Sequence, residues 1–308
     1  MKKLLTFLCC IITVCVNAQV TPGVQQKINK FHIIDSATKK PVITSVTIAR
    51  ANLTITTEKD GVFIIPGDLT KMRDTINFNT QGYQPVKLSL SNLSVMDTIK
   101  LKKYTVQKIF SNLSYKDDTL LNDFNRRDVG YYAGICTVLA KFEYHQLAQK
   151  FTTQKAGVRL KTARIIRLIY NNADVEQPTK YHLRVYDTDA KTGGPSRDLC
   201  NEVIEVSSSD GQQNNVNLKK YNIVIPGKTF FVAIEWMQDY YNSANSAYFD
   251  TKTKKKVIVP GYKPAIGISP ITGKDINIWA LSFKNEWKPY TYFAPFGTDL
   301  AIRVSIEY

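Results

Sequence analysis

Val42, Thr44, Val46 and Ile48 alternate with Ile43, Ser45 and Thr47, a period of two that predicts a strand with one mostly apolar face. Further strands are expected over Ile28 to Ile34, Leu53 to Thr57, Val62 to Ile65, Thr75 to Thr80, Val86 to Leu90 and Met96 to Leu101. Asp60-Gly61 lies between the third and fourth of these runs. Gly61 supplies the positive φ that a tight turn needs, so a hairpin is expected there, with Phe63 turned into the core. Gly82 is expected at a bulge or a close backbone approach, with Tyr83 packing at the sheet edge. About seven short strands in about 75 residues, with regular turns, is the pattern of a small β-sandwich.

Beyond residue 130 the same periodicity continues. Tyr144 to Phe151, Val158 to Tyr170, Tyr181 to Tyr186, Val203 to Val206, Asn215 to Leu218 and Tyr221 to Ile225 read as strands, with Arg164 and Arg167 on a solvent face. Phe230-Phe231-Val232-Ala233-Ile234 is continuously apolar and predicts a central strand buried on both faces. Ala247 to Phe249, Ala265 to Ile268, Ile278 to Phe283 and Leu300 to Tyr308 complete the set. The expected fold is all-β: a small Greek-key sandwich over 27–103, a polar linker over 104–130, and a larger jelly-roll-like sandwich over 131–308.

The N-terminus breaks the pattern. Lys2-Lys3 precedes an apolar stretch from Leu4 to Val16, and Val16-Asn17-Ala18 fits a signal-peptidase site, so residues 1–18 read as an export signal. No residue before Cys9, Cys10 or Cys15 suits a lipoprotein signal, and no later run is long enough for a membrane-spanning helix. The expected location is the periplasm, the outer-membrane surface or the medium. Of five cysteines, Cys136 and Cys200 remain after cleavage, either as a disulfide or as two buried thiols.

The net charge of +15 suits an anionic partner such as an acidic polysaccharide or lipopolysaccharide, and export argues against nucleic acid. The densest basic run, Lys252-Thr253-Lys254-Lys255-Lys256, reads as a solvated hairpin tip.

One set of residues carries a family resemblance. A polar turn ending in Lys40-Pro41, a Val/Ile/Thr strand, Thr57-Glu58-x-Asp60-Gly61-x-Phe63 and then Gln81-Gly82-Tyr83 resemble the carboxypeptidase-regulatory-like domain. That transthyretin-like sandwich occurs in exported proteins of Bacteroidota type. Arg50-Ala51-Asn52 stands where the family often has a second glycine, and Glu58 replaces its usual Asp. The resemblance implies an accessory, non-catalytic module, grouped with starch-binding-like folds. The C-terminal half is similar to uncharacterised jelly-roll-like regions found beside such domains.

Catalytic chemistry has little support in the sequence. His32, His145 and His182 lack zinc-peptidase spacing, and no nucleophile elbow, phosphate loop or Cys-x-x-Cys is present. A Cys136–His145 pair has no third group to orient it. Asp187-x-Asp189 lacks the further ligands of a calcium loop and reads as a polar turn. No cofactor and no metal are expected. Four Asp-Ser/Thr-apolar triplets, beginning at Asp35, Asp74, Asp97 and Asp118, resemble an O-glycosylation acceptor motif of such bacteria.

The aromatic residues are the remaining candidates. Trp236, Tyr240, Trp279, Trp287 and Tyr290, with Asp239, Asn242 and Asn285 nearby, are expected to fill the ends of the sandwich. If they instead line a surface groove, they would stack sugar rings. The expected role is a non-catalytic structural or interaction module of the cell envelope with a glycan or protein partner. The alternatives are a carbohydrate-binding protein, and a hydrolase accessory with His145 or His182 beside Asp/Glu in a cleft.

Overall fold

The computed structural model describes residues 28–70, 73–93, 95–104, 118–136, 143–169, 178–208, 211–250, 253–269, 275–295 and 297–308. The export signal at 1–18, the leader to residue 26 and most of the first half of the expected linker lie outside the described residues.

The chain is all-β, built as two sandwiches. The N-terminal one contains β1 (Ile28–Asp35), β2 (Ser45–Ile48), β3 (Leu53–Thr56), β4 (Val62–Pro66), β5 (Thr75–Phe78), β6 (Val86–Ser89) and β7 (Thr98–Leu101). Its two sheets run β4-β1-β7 and β3-β2-β5-β6, with β7 parallel to β1. Phe63 stacks on Phe31 at 5.1 Å and meets Phe78 edge-on at 5.9 Å in the core between them. Tyr83 is buried, and its hydroxyl donates to Asp35 Oδ2 at 3.0 Å.

The Asp60-Gly61 turn forms, with φ of +71° at Gly61 and Val62 N–H donating to Asp60 Oδ1 at 3.0 Å. The expected hairpin does not. The strand before the turn pairs with β2, and the strand after it pairs with β1, so the turn links the two sheets. Gly61 is drawn to β1: Ile33 N–H donates to Gly61 O at 2.8 Å, and a Cβ on Gly61 would sit 2.5 Å from Ile33 O.

The C-terminal sandwich contains β8 (Asp118–Leu121), β9 (Tyr131–Cys136), β10 (Tyr144–Thr152), β11 (Arg159–Ile166), β12 (Thr179–Thr188), β13 (Pro195–Asp198), β14 (Ile204–Ser208) and β15 (Gln213–Asn217). It continues through β16 (Thr229–Trp236), β17 (Ser243–Asp250), β18 (Lys255–Ser269), β19 (Ile278–Ser282), β20 (Trp287–Pro289), β21 (Asp299–Leu300) and β22 (Ile302–Glu307). One sheet runs β13-β12-β16-β10-β19-β20, with β14 also on β12. The others run β15-β11-β22-β8 and β17-β18-β21, with β9 also on β18.

Strand β16 is at the centre. Phe230, Val232, Ile234 and Trp236 point into the main core, each such burial contributing about 1.5–3 kcal/mol. Phe231, Ala233 and Glu235 point to the other face, which is also buried.

The second sandwich begins earlier than the sequence suggests. Residues 118–130, read as linker, hold β8, which pairs with β22, and Asn122, whose amide donates to Leu300 O and Ile302 O. Phe124 is buried in the same segment, and Arg303 holds it through Asp123 and Phe124 O. Arg167, expected on a solvent face, is buried and donates to Gly211 O at 2.9 Å. Among the described residues no helix is long and apolar enough to cross a membrane.

Candidate functional site

Among the described residues a buried group of titratable side chains lies where the two sandwiches meet. Alternation along β12 and β16 puts His182, Arg184 and Tyr186 on the same outer face as Phe231, Ala233 and Glu235. His182 and Gln146 are the cross-strand neighbours of Glu235 on either side. Arg184 lies opposite Ala233, and Ala148 is the next residue across. These two small side chains leave room for a guanidinium to lie along the sheet.

Arg184 is fully buried, and its donors are all engaged. Nε donates to Asp198 Oδ1 at 3.2 Å, Nη2 reaches Asp198 Oδ2, and Nη1 donates to Glu235 Oε1 at 3.3 Å. The same group crosses to the N-terminal sandwich. Nη1 donates to Asn79 O at 2.7 Å and Nη2 to Asn79 Oδ1 at 3.2 Å. Gln146 amide donates to Glu235 at 3.0 Å and accepts from Tyr186 hydroxyl at 2.7 Å, and His182 Nδ1 is 3.3 Å from Glu235 Oε2.

Burial alone would push the Glu235 carboxyl up. The Arg184 guanidinium and His182 outweigh that and hold it down at about 2. His145 packs 5.6 Å from the Phe283 ring, and burial lowers its pKa to about 4, so it is neutral near pH 7.

More bonds close the junction. Asn77 donates to Phe283 O at 3.1 Å, Asn79 to Asn285 Oδ1 at 3.1 Å, and Thr54 N–H to Gln238 Oε1 at 3.1 Å. Gly82 has φ of +78°, and a Cβ there would sit 2.6 Å from Asn201 Cα.

The aromatic candidates fall into separate places, with only Trp279 and Trp287 on a shared face. Trp236 is in the main core, with Nε1 donating to Pro264 O at 2.7 Å, so its faces are unavailable for stacking. Tyr290 is buried beside Tyr144 at 5.2 Å, and burial raises its pKa. Trp279 and Trp287 are half-buried on the outer sheet face, edge-on to Phe231 and Tyr186. Tyr240 is 98% exposed, while the Asp239 carboxylate caps the turn at Asn242 N–H, 2.9 Å away.

Cys200 is a free buried thiol donating to Glu202 O at 3.3 Å, and burial pushes its pKa up to about 11. It is therefore not joined to Cys136. Asp189 accepts from the backbone of Lys191 and Thr192, closing a polar turn. Among the described residues no cluster of His, Cys, Asp and Glu could hold a metal ion.

A second polar feature went unrecognised in the sequence. Two adjoining hollows, of about 500 and 580 Å³, lie along the outer face of sheet β15-β11-β22-β8 and share Arg164 and Arg303. Those two arginines are cross-strand partners. Their alternation with buried Ala163, Ile165, Ile302 and Val304 was the available signal.

No family model matches the sequence, and no curated protein sequence matches it. Among solved structures, the cysteine protease and lectin-like domains of a surface layer associated protein of Clostridium difficile are similar, at 11% identity and a TM-score of 0.36. The match covers 86% of this chain, which spans 58% of the length of that one. The major pilin subunit of Bacillus cereus matches at 8% identity and a TM-score of 0.16, over 78% of this chain and 69% of that one. Likeness at this level carries no argument about what this chain does.

Proposed function

We propose that this chain is a non-catalytic, exported structural or interaction module that holds two β-sandwiches in one fixed relation at the cell envelope. The observation that carries this reading is the use made of Arg184, Glu235, Asp198 and His182. A catalytic constellation needs a group facing substrate. These side chains are buried and bonded to one another, and the Asn79 backbone and amide accept from Arg184 across the junction. They serve to lock one sandwich to the other. The resemblance of residues 27–103 to carboxypeptidase-regulatory-like domains supports the same reading, since in that family the domain is an accessory.

Small-angle scattering and limited proteolysis of the exported chain test it. The wild type should scatter as one rigid particle and resist cleavage between the sandwiches, and Asn79→Ala should loosen both. A wild-type chain whose sandwiches move independently would sink the proposal. So would a hydrolytic activity that disappears in His182→Gln while the fold is retained.

A further inference from the structure

We infer that the outer face of sheet β15-β11-β22-β8 is a binding site for a linear acidic glycan. The inference goes beyond the junction and does not depend on it. Arg164 on β11 and Arg303 on β22 are in register as direct cross-strand partners. Like charges placed opposite one another on neighbouring strands destabilise a sheet. A sheet that keeps such a pair has a use for it, or a counter-charge.

Arg303 has one: it pairs with Asp123, donates to Phe124 O, and lies 5.2 Å over the Phe124 ring. Arg164 is different. It is exposed and bonds Asn215 Oδ1 at 3.2 Å, with no carboxylate partner among the described residues. Arg126 lines one end of the feature and Lys219 the other, so four cationic side chains face a single carboxylate, Asp123. That imbalance attracts an anion.

The neutral lining decides which anion. Thr162 and Ser305 hydroxyls sit 2.5 Å apart beside Arg164, and Asn215 and Asn217 flank them on β15. Hydroxyls and amides at this spacing suit sugar hydroxyls, while the planar guanidinium fork suits a carboxylate or sulfate. Leu120 and Val216 offer apolar contact to the C–H faces of a sugar ring. Single-stranded nucleic acid needs aromatic platforms for its bases, and Phe124 is buried beneath Arg303. Two adjoining hollows are larger than a free phosphate needs and match an extended oligomer.

The test is isothermal titration of the full chain with three probes: a short oligogalacturonate, a heparin fragment, and a neutral cello-oligosaccharide of equal length. Binding of an acidic probe but not the neutral one, weakened by added salt, is the expected result. The stronger acidic probe identifies the group as carboxylate or sulfate. Arg164→Gln should weaken binding about tenfold or more, Lys219→Gln should weaken it less, and both should unfold within about 2 °C of the wild type. The inference is overturned if the cello-oligosaccharide binds equally, or if inorganic phosphate displaces the oligomer at equal concentration. It is also overturned if Arg164→Gln binds like wild type, or if neutralising Lys255 and Lys256 on β18 causes the same loss.

Discussion

Arg184 and Arg164 are both strand arginines on the outer face of a sheet in the same sandwich. Arg184 is fully buried, with Asp198, Glu235 and Asn79 taking its hydrogen bonds. Arg164 is exposed, faces a second arginine, and has one amide acceptor. The first sheet face is covered by another sandwich, and its charges are neutralised within the protein. The second is exposed at Arg164, and among the described residues that line it cations outnumber carboxylates. Buried charge is costly unless paired, so a complete set of partners marks a structural role. An exposed surplus costs little in water and leaves charge available to a ligand.

The largest expected effect breaks the buried side of this contrast. Arg184→Met removes one partner and leaves the buried carboxylates of Asp198 and Glu235 without their cation. The expected cost is about 3–5 kcal/mol, read as a lower urea midpoint. Unfolding should also separate into two steps, because the cross-junction bonds to Asn79 go with the guanidinium. A loss below about 1 kcal/mol, with one cooperative transition, would show that Arg184 is no lock.

How much of this could be read in the sequence follows the same line. The Phe230 to Ile234 run was legible because a short, unbroken apolar stretch suits a strand buried on both faces and little else. The Asp60-Gly61 turn was legible, but its pairing was not, since turn chemistry fixes a reversal and not the strand that receives it. The junction was hidden because the face that the N-terminal sandwich brings to it is polar and looks like a solvent face. Thr47 and Asn77 are 1% exposed on that ground. Glu235 inside the apolar run was the one available sign, since a lone acid next to buried Ile234 and Trp236 needs a cation. The aromatic residues, expected to fill the ends of the sandwich, divide instead between the main core, which takes Trp236 and Tyr290, and the outer sheet face, which takes Trp279 and Trp287.

Acid should dismantle the junction in two stages. His145 is neutral when folded, with its pKa lowered by burial from 6.5 to about 4. Between those values the unfolded chain takes up a proton that the folded chain does not, so stability falls as pH drops through that window. Glu235, lowered from 4.5 to about 2, contributes stability that is fully present above 4.5 and is lost as pH falls toward 2. Each stage is worth about 3 kcal/mol. Urea midpoints from neutral pH downward should show both, and His145→Phe should flatten the upper stage alone. A flat profile between pH 6.5 and 4 in the wild type would contradict a buried neutral His145.

Two glycines sharpen the contrast at smaller magnitude. Gly82→Ala would push a Cβ to 2.7 Å from Asn201 O, across the junction, at a φ of +78°. Gly61→Ala meets Ile33 O inside the N-terminal sandwich at a φ of +71°. Each should cost about 1–3 kcal/mol. Only Gly82→Ala should make the chain between the sandwiches more sensitive to protease. Equal sensitivity in both variants would mean that the junction has no strength of its own.

The smallest effect is the most diagnostic for the open face. Arg164→Gln removes an exposed charge, one hydrogen bond to Asn215 and the repulsion from Arg303. The lost bond and the relieved repulsion oppose each other, so stability should change by no more than about 0.5 kcal/mol in either direction. A clear gain at low salt that vanishes at high salt would show that the pair carries strain in the free protein, as a face awaiting an anion should. A loss of more than about 1 kcal/mol would place Arg164 with Arg184, as a strut whose partners are within the protein. The same variant, measured for stability and for glycan affinity, separates the two uses of a strand arginine.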